Sequence, residues 1–234
     1  MKLIAHRGAS LSCPENSLIS LVHAAKLGAD AVECDIRLSA DHVPLIYHDA
    51  TLERLTGQPL PLAETSYDQI RKALAAAGKD LVTLTDLLAE PDIHTDILLH
   101  LKNDPIPNVV LDQLRPAAGR ILCGVSSLDA LAQVRSFMPD DRILAFVDHW
   151  RNVEAFIQKG AGIIRLWEQW LDTMRPADVK AIGPVEVWIM SMQNGSMNGS
   201  ATSLQHLSDL GADGVWLNDI EMALAWRQVH LQHH

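Results

Sequence analysis

The sequence predicts an α/β fold, a (β/α)8 TIM barrel with a short insertion after the second strand. Two observations predict it. About eight short β-rich runs alternate with segments of helical periodicity along 234 residues, and parallel neighbours need crossover helices between them. The strand count and the length then suit a closed barrel. A weak internal echo adds a third. Leu27-Gly28-Ala29-Asp30-Ala31-Val32 resembles Leu210-Gly211-Ala212-Asp213-Gly214-Val215, and Gly160-Ala161-Gly162-Ile163 is a looser copy. Each reads as helix end, glycine cap, strand start. A doubly wound open sheet is the alternative architecture. No G-x-G-x-x-G or G-x-x-x-x-G-K-[ST] motif occurs, so dinucleotide and P-loop binding have no support.

The first strand-like run is Lys2–Gly8. A helix follows over Pro14–Leu27, with Leu18, Leu21, Val22 and Ala25 on one face and Gly28 as its end. Ala31–Arg37 reads as the second strand. An adjacent extended run, Val43–Tyr47, follows the turn-like Ser39-Ala40-Asp41. Residues 51–80 are broken by Gly57, Pro59 and Pro61 and read as an irregular insertion, with a helix near Thr85–Ala89. Strands then fall near Asp96–Lys102, Arg120–Val125, Arg142–Val147, Gly162–Trp167, Val185–Ser191 and Gly214–Asn218. Helices fall near Asn108–Ala117, Leu128–Phe137, Val153–Gln158, Pro176–Ala181 and Thr202–Leu210, and a last helix closes the chain. Residues 1–234 thus read as a single domain.

Composition narrows the function class. With 48% hydrophobic residues the chain can bury one substantial core. Mean hydropathy is +0.06, and no apolar run approaches the ~18 residues of a membrane span. Nineteen basic against 29 acidic side chains give a net charge of −10, which argues against a nucleic-acid partner. Three cysteines, Cys13, Cys34 and Cys123, show no C-x-x-C pairing, against a disulfide framework or structural zinc. Met1–Ala5 leads directly into His6-Arg7-Gly8, leaving no room for a signal peptide. The expectation is a reduced, cytoplasmic enzyme. His230, His233 and His234 lie in a polar tail and receive no function.

Active sites of such barrels lie at the C-terminal strand ends. Four successive segments place ionisable groups there: His6-Arg7, Glu33 with Asp35, His48-Asp49, and His100 with Lys102. Glu33 and Asp35 are two apart, so both face one side of their strand. Two such carboxylates repel unless a cation lies between them. A divalent metal is one answer; salt-bridged rim carboxylates are the other. Arg7 suits phosphate, and Lys102 lies on the same strand face as His100. Two histidines on different segments allow one acid and one base. Glu15 and Asn16 either support the site or cap the following helix, since Ser12-x-x-Glu15 matches a capping box. Trp188 is either core or the apolar wall of a substrate pocket.

These residues resemble the glycerophosphodiester phosphodiesterase family. The resemblance rests on Ile4-Ala5-His6-Arg7-Gly8-Ala9, Pro14-Glu15-Asn16-Ser17, Glu33-Cys34-Asp35-Ile36-Arg37 and Pro44-Leu45-Ile46-Tyr47-His48-Asp49. It continues through Thr51–Gly57 and Val82–Leu88 and, more weakly, to the last strand. It implies a (β/α)8 barrel with a short insertion. It also implies hydrolysis of glycerophosphodiesters to glycerol 3-phosphate and an alcohol, with a divalent metal, commonly Mg2+ or Ca2+. Carried over, His6 and His48 would be the acid/base pair and Glu33 and Asp35 would bind metal. Arg7 and Lys102 would hold phosphate, with Glu15 supporting. One departure is clear. The family's third strand usually reads Glu-x-Lys, its glutamate a metal ligand, where this chain has His100-Leu101-Lys102. As a third ligand, His100 would shift preference toward Mn2+, Co2+ or Zn2+. Two alternative functions compete: a phospholipase D-like lyase on lysolipids, and a non-catalytic phosphate-metabolite-binding barrel.

Overall fold

In a computed structural model, residues 1–231 are described; His233 and His234 of the polar tail lie outside them. The elements, in chain order, are β1 (Lys2–Ala5), α1 (Leu18–Leu27), β2 (Ala31–Leu38), β3 (Pro44–Ile46), α2 (Glu53–Thr56), α3 (Tyr67–Ala76), β4 (Val82–Thr83) and α4 (Leu84–Ala89). Strictly alternating units follow: β5 (Asp96–Leu101), α5 (Asn108–Leu114), β6 (Ile121–Val125), α6 (Leu128–Arg135), β7 (Ile143–Phe146), α7 (Val153–Gln158), β8 (Ile163–Trp167), α8 (Pro176–Lys180), β9 (Glu186–Met190), α9 (Ala201–Asp209), β10 (Gly214–Leu217) and α10 (Ile220–Leu231).

Eight parallel strands form the barrel, in the order β1-β2-β5-β6-β7-β8-β9-β10, and the β10–β1 pairing closes it. The expected (β/α)8 architecture is therefore the observed one. Strand alternation divides the apolar residues into two sets. Outward residues such as Cys34, Leu99, Ala145 and Val215 pack under the helices. Inward residues such as Ile4, Leu98, Leu144, Phe146 and Trp216 fill the barrel. The sequence echo has a structural counterpart. Gly28 and Gly211 both end helices at positive φ, and the aspartates that follow both accept strand N–H groups, Asp30 from Leu3 and Asp213 from Val187.

Three details differ from the sequence expectations. The helix expected from Pro14 begins at Leu18, because Ser17, not Ser12, caps it by accepting from the Ser20 N–H. Ser12 instead donates to Glu221, so Glu15 belongs to no capping box. The insertion is also more regular than its prolines suggest. Ser66 and Gln69 form a capping box that starts the ten-residue α3. Leu45, Leu52, Leu62, Ile70 and Leu74 make a small core of their own there. The run after β2 becomes β3, antiparallel to β2, and β4 pairs antiparallel with β3. β2 runs eight residues, twice the length of β1, and its overhang carries this tab.

Trp188 is the third correction. It is 1% exposed and its indole N–H donates to Glu186 Oε2 at 2.8 Å. Its ring lies over Gly214, where an added Cβ would come within 2.9 Å of it. Glu186 begins β9 and Gly214 begins β10, so this tryptophan floors the N-terminal end of the barrel and walls no pocket at the mouth. Among the described residues no helix is long and apolar enough to cross a membrane. All three cysteines are free.

Candidate active site at the C-terminal mouth

The β1 end delivers the first groups. After Ala5 the chain turns sharply: Arg7 takes φ +58° and Gly8 φ +83°. A Cβ on Gly8 would stand 2.6 Å from the Ser20 backbone, so only glycine lets this turn seat on α1. The turn points the Arg7 N–H at Glu33 Oε2, 3.0 Å away. Asn16, another left-handed residue, bonds both the Asp35 carboxylate and the Asp35 N–H at 3.2 Å. The left-handed turns at Arg7 and Asn16 thus aim polar groups at both buried carboxylates.

Glu33 and Asp35 are 0% and 1% exposed, side by side inside the mouth. Their environments push them apart. Burial, then the Asp35 charge, raises Glu33 well above the usual carboxylate range. Asp35 is also buried, yet the His100 imidazole and the Lys102 ammonium hold it well below that range. Lys102 Nζ stands 3.0 Å and His100 Nδ1 3.3 Å from Asp35 Oδ1. Arg7 Nε approaches Oδ2 at 3.5 Å. Among the described residues, the Oε1 of Glu33 has no hydrogen-bond partner.

The two histidines sit differently. His6 is 5% exposed, and burial, then the Arg7 charge, lowers its pKa to about 3. Its Nδ1 is 2.7 Å from Asn218 Oδ1, so this nitrogen donates. Nε2 is left as an acceptor, 3.9 Å from Glu33. His48 arrives on the loop after β3 and is only half-buried. Burial lowers it too, while Asp35 and Asp49 pull the other way. Its Nδ1 stands 2.7 Å from Asp49 Oδ1, and Arg37 Nε donates to its carbonyl at 2.6 Å. Arg54 ties Asp49 to Glu15. Glu15 also accepts from Arg7 at 3.1 Å, so it braces the two histidine segments against each other. His100 stacks on Phe146, ring centroids 3.7 Å apart, and burial lowers its pKa to about 4.

The site thus brings together His6, Arg7, Glu15, Glu33, Asp35, His48, His100 and Lys102, and leaves Trp188 at the opposite end. The description of the glycerophosphoryl diester phosphodiesterase family matches residues 6–188, more than half of the sequence. The chain belongs to this family. Within the family, its curated relatives include glycerophosphodiester phosphodiesterase 1 of cattle, 44% identical over 78 residues, 33% of this chain and 24% of that protein. A probable glycerophosphodiester phosphodiesterase 2 of Mycobacterium tuberculosis is 35% identical over 123 residues, 52% of this chain and 47% of that one. The matched stretches therefore span between about a quarter and half of these two relatives. Among solved structures, a family protein from Galdieria sulphuraria aligns with TM-score 0.82 at 16% identity, covering 97% of both chains. An Oleispira antarctica phosphodiesterase in complex with its product sn-glycerol 3-phosphate aligns with TM-score 0.78 at 21% identity, also over 97% of each.

Four further residues stand in or beside this mouth without a sequence signal that set them apart as site residues, or with one that went unused. Asp49, Arg54 and Asn218 stood inside quoted runs without a role. Arg165, 6% exposed in the barrel interior, had a legible signal: a charge between apolar neighbours in a buried strand, two residues before its end.

Proposed function

We propose that the chain is a divalent-metal-dependent glycerophosphodiester phosphodiesterase, releasing glycerol 3-phosphate and an alcohol by two-histidine acid/base catalysis. The observation that carries this is the pairing of two differently tethered histidines with a buried, charge-divided carboxylate pair at one barrel mouth. Family membership and the product named for the Oleispira relative support the substrate class.

Glu33, Asp35 and His100 each turn a ligand atom to a common point, all within 4.8 Å of one another. The fully buried Glu33 Oε1, which has no hydrogen-bond partner among the described residues, supports the reading that this set takes a cation. Two carboxylates and one imidazole would hold it, with Lys102 competing for Asp35. When bound, the metal supplies positive charge to the phosphoryl oxygens. Arg7 and Lys102 add donors for the same oxygens, the electrostatic contribution that dominates such reactions. His6 Nε2, held neutral by burial, accepts the proton of the attacking oxygen: that of water, which gives glycerol 3-phosphate directly, or that of the neighbouring glycerol hydroxyl, which gives a cyclic phosphate that water then opens. His48, with Nδ1–H on Asp49, carries its mobile proton on Nε2 and donates it to the leaving alcohol. Glu15 keeps Arg7 and Arg54 in register with both.

The deciding experiment is glycerol 3-phosphate release across a panel of glycerophosphodiesters and divalent metals, before and after exhaustive chelation. Activity lost on chelation and restored by metal is expected. No turnover with any diester and metal would sink the proposal.

A further inference from the structure

Among the described residues, no carboxylate answers the charge of Arg165. It lies on β8 between Ile163 and Trp167, on the inward face. Phe146, Trp167 and Trp170 surround the guanidinium, their ring centroids 5.5, 4.5 and 5.6 Å from Cζ. Nη2 makes a long bond to the Val147 carbonyl at 3.4 Å, while Nε and Nη1 have no acceptor. Glu168, three residues on, is committed elsewhere: its oxygens accept from Ser191, the Met192 N–H, Gln193 and Ser203. Burial lowers the Arg165 pKa only to about 10, so the charge persists at neutral pH.

An unpaired buried cation is destabilising, and aromatic faces offset only part of that cost. The cations at the other side of the mouth are answered, Arg7 by Glu15 and Lys102 by Asp35. Arg165 is not, and it lies against the same Phe146 ring that stacks on His100. One aromatic ring therefore links it to the carboxylate–histidine group where the phosphate would bind.

We propose that Arg165 is a specificity-determining residue, the counter-charge for a second oxyanion on the substrate arm that lies over β7 and β8. The inference rests on the phosphodiesterase reading and names its substrate class: glycerophosphodiesters whose alcohol bears a carboxylate or phosphate of its own. A guanidinium favours such groups over ammonium head groups by both charge and hydrogen bonding. Trp167 is partly exposed at the strand end and covers the guanidinium on that side, the side from which the anion would reach it.

The test compares matched pairs. Glycerophosphoserine and glycerophosphoethanolamine differ by one carboxylate; glycerophosphoinositol 4-phosphate and glycerophosphoinositol differ by one phosphate. For at least one pair, the wild type should favour the anionic member in kcat/KM by about tenfold or more, the size of a charged hydrogen bond. Arg165→Met should bring that ratio near one, chiefly through KM, and Arg165→Lys should keep most of it. Whichever pair discriminates identifies the anion. Tryptophan fluorescence titration with the same compounds gives a readout independent of turnover, with the anionic member changing the emission of wild type but not of Arg165→Met. Ratios near one for both pairs in the wild type overturn the proposal while leaving the phosphodiesterase reading intact. So does a ratio unchanged in Arg165→Met. If Arg165→Met does not fold, the wild-type ratios and Arg165→Lys decide. If no diester is cleaved, the phosphodiesterase reading fails, and fluorescence unresponsive to the anionic members overturns the Arg165 assignment separately.

Discussion

His6 and His48 differ in what holds them, and each difference is measurable. His6→Ala and His48→Ala should each lower kcat by roughly 10²–10⁴-fold; the melting temperature of His48→Ala should stay close to wild type because its side chain is only half-buried, whereas His6→Ala empties a buried, hydrogen-bonded position and should lower it. Steady-state kinetics with circular dichroism decide it; near-normal turnover in either variant removes that histidine from proton transfer. The pH profile follows from the tethers. Burial places His48 below its ordinary value of 6.5, so in free enzyme the donor form is lost early as pH rises. Bound phosphodiester is an anion and favours the protonated ring. The alkaline limb of kcat should therefore lie above that of kcat/KM. Asp49 favours protonated His48, so Asp49→Asn should move both limbs to lower pH. Limbs that coincide in wild type, or that ignore Asp49→Asn, contradict the donor assignment. His100 is tested by binding: His100→Glu should raise Mg2+ and Ca2+ affinity by calorimetric titration, and His100→Ala should weaken Mn2+ or Zn2+. Identical affinities in all three proteins would take residue 100 out of the metal set.

At the scale of elements, caps and registers set what stands where. Thr83 starts α4 by accepting from the Asp86 N–H at 3.1 Å. Thr83→Ala should cost about 1 kcal/mol, a drop of roughly 2–4 °C in melting temperature for a chain of this size. An unchanged melting curve would mean that the cap is replaced by solvent. The barrel strands were legible because each is a short apolar run between helical periods, and the mouth residues because they end those runs. The insertion was not. Its prolines and Gly57 mark real turns, but they hid the Ser66–Gln69 capping box that starts α3. Ser12 offered a capping box with Glu15, and the structure chose Ser17, because Glu15 is drawn to Arg7 and Arg54. Pairwise tethers across the fold, such as His6 with Asn218, 212 residues apart, leave no local pattern in a single sequence.

At the scale of the whole molecule, the barrel has a floor and a mouth with separate duties. Trp188 belongs to the floor. Trp188→Ala should destabilise by about 3–5 kcal/mol, read by chemical denaturation, while kcat per folded molecule stays at the wild-type value. A fall in kcat with normal stability would return Trp188 to the substrate side. Alternating residues told which strands enclose the core, but not at which end a large inward side chain lies. That depends on strand stagger, which for Trp188 is settled by Gly214 leaving room for the indole.

On the proposed reading, the β3–β4 tab would be the thermal weak point of the site. His48 stands on a segment whose outer apolar support is the small cluster of Leu45, Leu52, Leu62, Ile70 and Leu74, joined to the barrel by the overhang of β2 and by Ile46 and Val82 in the main core. Small cooperative units open at lower free energy than the global transition. Amides of α3 should therefore exchange with deuterium faster than those of β5 or β6. On heating, the proposed turnover should vanish before the barrel's near-ultraviolet signal does, leaving a closed barrel with its carboxylates in place and the His48 segment displaced.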